Sequence, residues 1–374
     1  MKQLRVWTAL TLTGIGLAAI MHPASSAPAA KTTNAAARAA MQTSVQKGIA
    51  FLRGTQKPDG SWQSYPGYTA IAVTALLRNG LTDKDPAVAK ACDYLAALAK
   101  PNGAIYTDAL GPAQALPNYN TALSLLALDL TRNPKYLPVI KKAQQFLATS
   151  QFDEGEGFRP ADRQYGGIGY GSKVDNPDLS NLQNALEALR ESGYPKNAEV
   201  FKKAVIFLQR CQNRSESNDQ GWAGTDGGFL YAASGESKAD ELTKQPHSSY
   251  GSMTYAGLKS YLYCNVTRKD PRVQAAWNWL RANYDVNQNA RIGDDGLYYY
   301  YHTMSKTLAL WGEKSFVDTN GAKHVWAPDL SAAIVGQQKP DGSWINKNPR
   351  WRENNPDLAT GYVLISLANC REGF

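Results

Sequence analysis

The chain has 374 residues, 43% hydrophobic and 19% charged, with a formal net charge of +8 at pH 7 and four cysteines. The positive charge is dispersed, with Lys141-Lys142 and Lys202-Lys203 as helix-surface pairs rather than a basic block, which argues against nucleic acid as a partner. No segment reaches about 18 uninterrupted apolar residues beyond the N-terminal region, which argues against a membrane-embedded chain.

Met1-Lys2-Gln3-Leu4-Arg5 forms a basic head, and Val6 to Ile20 is a largely apolar run. Small residues at cleavage spacing follow, as in Ala27-Pro28-Ala29. These are the parts of a secretory signal peptide, expected over residues 1–29, and they predict a periplasmic or secreted mature chain. No Cys stands at lipobox spacing, so a lipid anchor is not expected. Removing Lys2 and Arg5 takes the net charge from +8 to +6. Residues 30–42 read as a flexible leader and residues 43–374 as a single domain.

From residue 43 onward the apolar period is 3.6, and helices of two kinds alternate. The first kind has a charged face and recurs near 44–54, 87–99, 138–149, 198–211, 271–283 and 327–337. The second is apolar or small-residue-rich all round, near 68–79, 118–131, 179–192, 249–264, 298–311 and 357–370. An amphipathic helix exposes one side to water, whereas an apolar one must be enclosed. Six such pairs therefore predict an all-α fold, an (α/α)6 toroid with the second set inside. Short connectors such as Gly80 to Pro86 and Gly193-Tyr194-Pro195 follow inner helices. The long Gly-rich segments Gly103 to Pro117, Gln151 to Pro177 and Gln212 to Ser248 all precede them. Connections of one kind share one end of a double ring, so these loops form a single mouth, where function is sought.

The cysteines, Cys92, Cys211, Cys264 and Cys370, match no zinc spacing. In the predicted toroid Cys211 lies at the mouth and Cys264 and Cys370 at the opposite end, in non-adjacent pairs, so four free thiols are expected.

Gln56-Lys57-Pro58-Asp59-Gly60-Ser61-Trp62 reappears unchanged as Gln338-Lys339-Pro340-Asp341-Gly342-Ser343-Trp344. Each copy ends a helix, turns at Pro-Asp-Gly and finishes on an aromatic anchor. With degenerate copies at Lys100 to Tyr106, Gly166 to Tyr170 and Gln212 to Trp222, the chain resembles the prenyltransferase and squalene-oxidase repeat family, over residues 43–370. That family includes squalene-hopene cyclases, other terpene cyclase-type toroids and prenyltransferase β subunits. The resemblance implies that Gln56, Trp62, Gln338 and Trp344 join helices rather than catalyse.

The chain departs from its relatives in its chemistry. Cyclases that protonate an alkene use an Asp-x-Asp-Asp acid motif, and none is present. The nearest string is Asp175-Asn176-Pro177-Asp178, where Asp178 reads as a helix cap. Prenyltransferases hold zinc with an Asp, a Cys two residues later and a His, but Leu297 stands where the Cys would follow Asp295. No metal site and no cofactor are expected.

Asp294-Asp295-Gly296-Leu297-Tyr298-Tyr299-Tyr300-Tyr301-His302 is the densest cluster of functional groups. Asp295, Tyr298, Tyr301 and His302 are the candidate catalytic residues, with Tyr298, Tyr301, His302 and Ser305 at helical spacing on one side. The alternative reading is an aromatic packing seam with a satisfied histidine. Asp178, Trp222, His247 and Arg350 are the candidate ligand contacts, from loops placed to cover the mouth. Converging inner-helix N-termini would favour an anionic group there.

Three functions compete. The resemblance implies an exported protein that binds, and in one version modifies, an apolar isoprenoid or lipid-like small molecule. A toroid also suits a carbohydrate-active lyase or hydrolase, and a non-catalytic interaction module on a membrane surface or another envelope protein is the third. A monomer is expected. Apolar inner positions such as Ala70, Val73, Leu77, Leu123, Leu126, Val363 and Leu367 favour the first.

Overall fold

A computed structural model describes residues 34–171 and 176–374, so the expected signal peptide and Asp175 lie outside the described residues. Twelve long helices carry the fold, and odd and even numbers alternate between two layers. They are α1 Asn34–Thr55, α2 Pro66–Arg78, α3 Pro86–Ala97, α4 Pro117–Leu130, α5 Leu137–Ala148 and α6 Leu179–Glu191. Then come α7 Glu199–Cys211, α8 Gly251–Tyr263, α9 Pro271–Ala282, α10 Leu297–Trp311, α11 Trp326–Val335 and α12 Pro356–Gly373.

Their starts are written locally. Pro stands in the first turn of α2, α3, α4, α5, α9 and α12, where its missing N–H costs nothing. Asp85, Asp178, Asp270 and Asn355 each accept a backbone N–H as side-chain caps. The even helices are buried nearly all round; every residue of α2 from Pro66 to Leu76 is enclosed. The odd helices bury one stripe, as α7 does with Val200, Phe201, Ala204, Phe207 and Leu208. Each even helix packs on the next, and α12 packs on both α10 and α2, so the inner ring closes. In the outer layer α1 contacts both α11 and α12. No helix among the described residues is long and apolar enough to cross a membrane.

One expectation needs correction, and one short element is added to the all-α plan. The segment read as a flexible leader is helical from Asn34, and Met41 on that extension is buried. The link from α10 to α11 is a β-hairpin, β1 Ser315–Val317 paired antiparallel with β2 Lys323–Val325. Its turn is made by the Asp318 carboxylate, which accepts from the N–H groups of Asn320 and Ala322 (2.8 and 2.9 Å), and by Gly321 at φ 87. Three-residue strands carry too little alternation to be recognised in sequence. The four cysteines are separate thiols, and burial pushes those of Cys92 and Cys264 up to about 12.

The repeated motif ties neighbouring pairs together. Gln56 Nε2 donates to Gly60 O (2.9 Å) and to Ala87 O (2.8 Å) at the start of the next outer helix. Trp62 Nε1 returns to Leu52 O of its own helix (3.0 Å). At the other end of the chain Gln338 Nε2 donates to Gly342 O and to Ser44 O, both at 2.9 Å, and Ser44 Oγ donates back to Gln338 Oε1 (2.8 Å). The last copy thus fastens α11 to α1 and shuts the outer ring.

The same bridge recurs where the sequence copy is degenerate. Gln151 donates to Gly166 O and Val200 O, and Gln212 to Gly227 O and Arg272 O, all at 2.8 to 2.9 Å. The partner of Gln212 is therefore Gly227, and the aromatic two residues later is Phe229, not Trp222. A loop of 14 residues separates glutamine from glycine in each of these two copies, which hid the pairing. Gly60 and Gly342 both sit at φ 89, where a Cβ would lie 2.5 Å from a carbonyl oxygen of the adjoining outer helix, Lys90 and Lys47 respectively. Only glycine permits that approach.

Gly342→Ala is expected to destabilise the protein by roughly 2 kcal/mol or more, from left-handed strain and the clash together. Gln338→Leu should cost about 1–3 kcal/mol, because two buried carbonyls lose their donor. Urea unfolding of both variants against wild type checks this; a change within 0.5 kcal/mol or so for Gly342→Ala would contradict the bridge.

Candidate functional site

The loops that precede inner helices surround a cavity at the N-terminal ends of those helices, with about 1040 Å³ of open space, solvent at its rim included. Tyr68 of α2, Tyr119 of α4, Tyr299 of α10 and Tyr362 of α12 form its lower wall, with Ser180, Ser252, Met253 and Leu358. Tyr65, Leu116, Tyr170, Tyr231 and Tyr250 close it from the loops, and Trp351, Arg352 and Glu353 form one side of the rim. Eight phenols thus face one space. Burial pushes Tyr65 up to about 12 and Tyr119, Tyr231 and Tyr250 higher still, so all stay neutral.

Glu353 is the one carboxylic acid among the described lining residues. Its oxygens accept from the N–H groups of Tyr298 (3.1 Å) and Tyr299 (2.7 Å) and from Asn346 Nδ2 (3.0 Å). It thereby caps α10, whose own preceding residue, Gly296, has no side chain to do so. Burial raises the carboxyl to about 7, against the pull of those hydrogen bonds. The residues before it, Trp351 and Arg352, lie at φ 53 and 63, a strained backbone that turns both side chains onto the rim. Arg352 Nη1 donates to Gln114 Oε1 (3.2 Å) across the mouth.

The structure distributes the sequence candidates that precede inner helices over three places. Asp295 and Arg350 meet in an ion pair (2.5 Å) on the mouth-side loops, with Asn348 also donating to Asp295. Trp222 and His247 stack at 5.4 Å between ring centroids; Trp222 Nε1 donates to Ala233 O and His247 Nδ1 lies 2.8 Å from Gly235 O, so both are held within the long loop. Asp178 caps α6 and accepts from the Asn181 N–H (2.9 Å) and amide. It lines a neighbouring depression with Arg163 and Tyr231.

On α10 the inward stripe is Tyr299, His302 and Lys306. Tyr298 donates to Ile345 O (3.4 Å) and Tyr301 to Val286 O (2.8 Å) while accepting from Gln337 (2.9 Å), all in loops or the outer layer. Neither lines the cavity. The spacing i, i+3, i+4 used for Tyr298, Tyr301 and His302 is centred about one residue, or roughly 100°, away from the true inner face. Nothing in a run of four tyrosines distinguishes that face. Tyr299 was missed for that reason, and Tyr362 and Glu353 because only the folded chain brings them beside α10, although a tyrosine in the first two turns of α2, α4 and α12 was a usable signal.

Deeper in the bore the wall divides. Ile71, Leu123, Leu126 and Ile365 make one half apolar, while Asn184, Glu187 and His302 make the other polar. Lys259, fully buried, and Lys306 both pair with Glu187, and Lys306 and Arg78 pair with Glu191. Burial pushes the Glu187 carboxyl up, but attraction to the two lysines outweighs it and keeps the group ionised. Among the described residues no group of three His, Cys, Asp or Glu side chains is placed to hold a metal ion.

The fold is of the squalene-cyclase-like, terpene cyclase type. The chain superposes on the type II terpene cyclase MstE from Scytonema in complex with geranylgeranyl dihydroxybenzoate, with a TM-score of 0.57 at 13% identity, covering 90% of this chain and 99% of that one. A 124-residue stretch is 32% identical to the squalene–hopene cyclase of Bradyrhizobium diazoefficiens, covering 30% of this chain and 19% of that protein. The chain is also similar to a GH76 α-mannanase of Bacteroides thetaiotaomicron, with a TM-score of 0.55 at 11% identity, covering 88% of this chain and 96% of that one. No protein-family model matches.

Two outcomes follow from the ionisable groups. The folded Glu353 pKa of about 7 lies above its ordinary 4.5, so its contribution to stability is full below that ordinary value and is lost as pH rises through 7. Melting temperature should therefore fall between about pH 5 and pH 8, and Glu353→Gln should remove most of that fall. Lys259→Met leaves a buried carboxylate undercompensated and should cost about 3–5 kcal/mol in chemical unfolding; a loss under about 1 kcal/mol would show the pair is dispensable.

Proposed function

We propose that the chain is an exported protein that binds an apolar isoprenoid or similar lipid-like molecule in the tyrosine-lined cavity. The observation that carries this is the lining itself: eight phenol rings with Met253, Leu116 and Leu358 around one cavity, and one carboxyl among the described lining residues. Aromatic faces and thioether sulfur pack on a branched hydrocarbon without demanding fixed polar partners. The bound isoprenoid substrate of the type II cyclase complex, on a shared fold, supports the same ligand class. Export rests on the basic head and apolar run of residues 1–29.

The reading is of binding ahead of cyclisation. Protonating an alkene calls for a very strong acid, and Glu353, raised to about 7 by burial, is a weak one. In its ionised form it is suited to accept a proton or offset a positive charge near the rim. The glycosidase-like neighbours motivate a carbohydrate reading, but two-carboxylate hydrolysis needs a second acid across the cavity, and among the described residues the lining holds Glu353 alone.

Titration of the mature protein with geranylgeraniol, its methyl ether and manno-oligosaccharides, read by calorimetry and native mass spectrometry, tests this. A one-to-one isoprenoid complex is expected, weakened about tenfold or more by Met253→Trp, which fills the cavity. Binding of the oligosaccharide with no isoprenoid complex would transfer the site to carbohydrate chemistry.

A further inference from the structure

Tyr362 lies between two compartments: it lines the upper tyrosine cavity and also a narrow chamber beneath it, with room for about one group the size of a water molecule. Its ring rests on His302, with centroids 5.4 Å apart and planes inclined by 32°, and on Tyr299 at 5.9 Å. Below it, His302 is 8% exposed and its Nδ1 has no hydrogen-bond partner. A buried ring nitrogen left unpaired is costly, and with the neutral ring's proton on Nε2 this atom is an acceptor open to a donor.

The chemistry of that donor is limited by its surroundings. The two charged groups that line the chamber, Arg78 and Glu187, have opposite signs, and each is already paired, Arg78 with Glu191 and Glu187 with Lys259 and Lys306. Burial holds the His302 imidazole down at about 3, the attraction of Glu187 being opposed by Lys259 and Lys306, so the ring is neutral. A phosphate or carboxylate would enter without a free cation to receive it, and burying an uncompensated charge is prohibitive. A neutral donor fits. The opposite wall, Ile71, Leu123, Leu126 and Ile365, accepts hydrocarbon only.

We propose that this chamber is the docking point for a single uncharged hydroxyl, so that the ligand is a long-chain isoprenoid alcohol inserted hydroxyl end first, past Tyr362 and onto His302 Nδ1. This rests on the isoprenoid reading above. The chain then fills the tyrosine cavity, and its far end meets Trp351 at the rim.

Calorimetric titration of wild type and His302→Phe with geranylgeraniol and with geranylgeranyl methyl ether tests it. Phe keeps the ring against Tyr362 and removes the acceptor. Wild type should prefer the alcohol by about ten- to a hundredfold, since the ether leaves His302 unpaired. His302→Phe should bind both alike, at the wild-type affinity for the ether. In wild type labelled with ¹⁵N-histidine, the His302 Nδ1 resonance should move with the alcohol and not with the ether, which keeps the test independent of the variant's folding. Equal binding of alcohol and ether by wild type, or an unmoved Nδ1 resonance, overturns the hydroxyl site alone. Binding of neither compound overturns the isoprenoid reading and this site with it.

Discussion

Closure of the ring holds the structure together, and it depends on a side-chain amide. Twelve helices of ordinary length would stack as an open superhelix if the last pair did not reach the first. Gln338 makes that junction by donating to Ser44 O and Gly342 O and accepting from Ser44 Oγ. Every residue of the inner wall is positioned relative to this seam. The cavity exists because six inner helices converge at a fixed radius, and α12, packed on both α10 and α2, keeps Tyr362 and Tyr68 on one wall.

A second set of contacts aligns the inner helices with the outer staples. The N–H groups of Trp62, Ile105, Phe229 and Trp344 donate to the hydroxyls of Thr69, Thr121, Thr254 and Thr360. Each threonine lies in the first or second turn of an inner helix. Thr69 and Thr254 in turn donate to the carbonyls of Tyr65 and Tyr250, both of which line the cavity. The motif therefore sets the height of the tyrosines as well as the spacing of the helices. The axial field follows the same order. Partial positive charge at the N-terminus of α10 meets Glu353 at the mouth, and Arg78 stands in the last turn of α2, where partial negative charge favours it.

Much of the architecture was legible in the sequence because burial on all sides and burial on one side leave different residue patterns. The inner helices, from the Pro66 start of α2 to the Pro356 start of α12, are mostly apolar or small, α6 with its buried Asn181, Gln183, Asn184 and Glu187 excepted, and proline or Asx starts fix the first turns of α2, α4, α6 and α12. The site was less legible. Which tyrosine of Tyr298 to Tyr301 faces the bore depends on the rotation of α10, set by tertiary contacts such as the Glu353 cap, 54 residues away. Trp222 looked like a motif anchor because it is a tryptophan ten residues after Gln212, yet Phe229 takes that place. His302 lines the bore whereas Tyr298 and Tyr301 of the same cluster face elsewhere, so composition located the helix and only packing located the face.

The interval between the motif's glutamine and its glycine is three residues in the intact copies and 14 at Gln151 to Gly166 and Gln212 to Gly227. The two ends of each interval stay fixed by the same pair of amide bonds whatever lies between. Length is therefore free at this point, while helix spacing is not. A lineage can rebuild the roof over the bore, exchanging one covering for another, without disturbing the walls, and new ligand preferences can arise by insertion long before any inner helix changes.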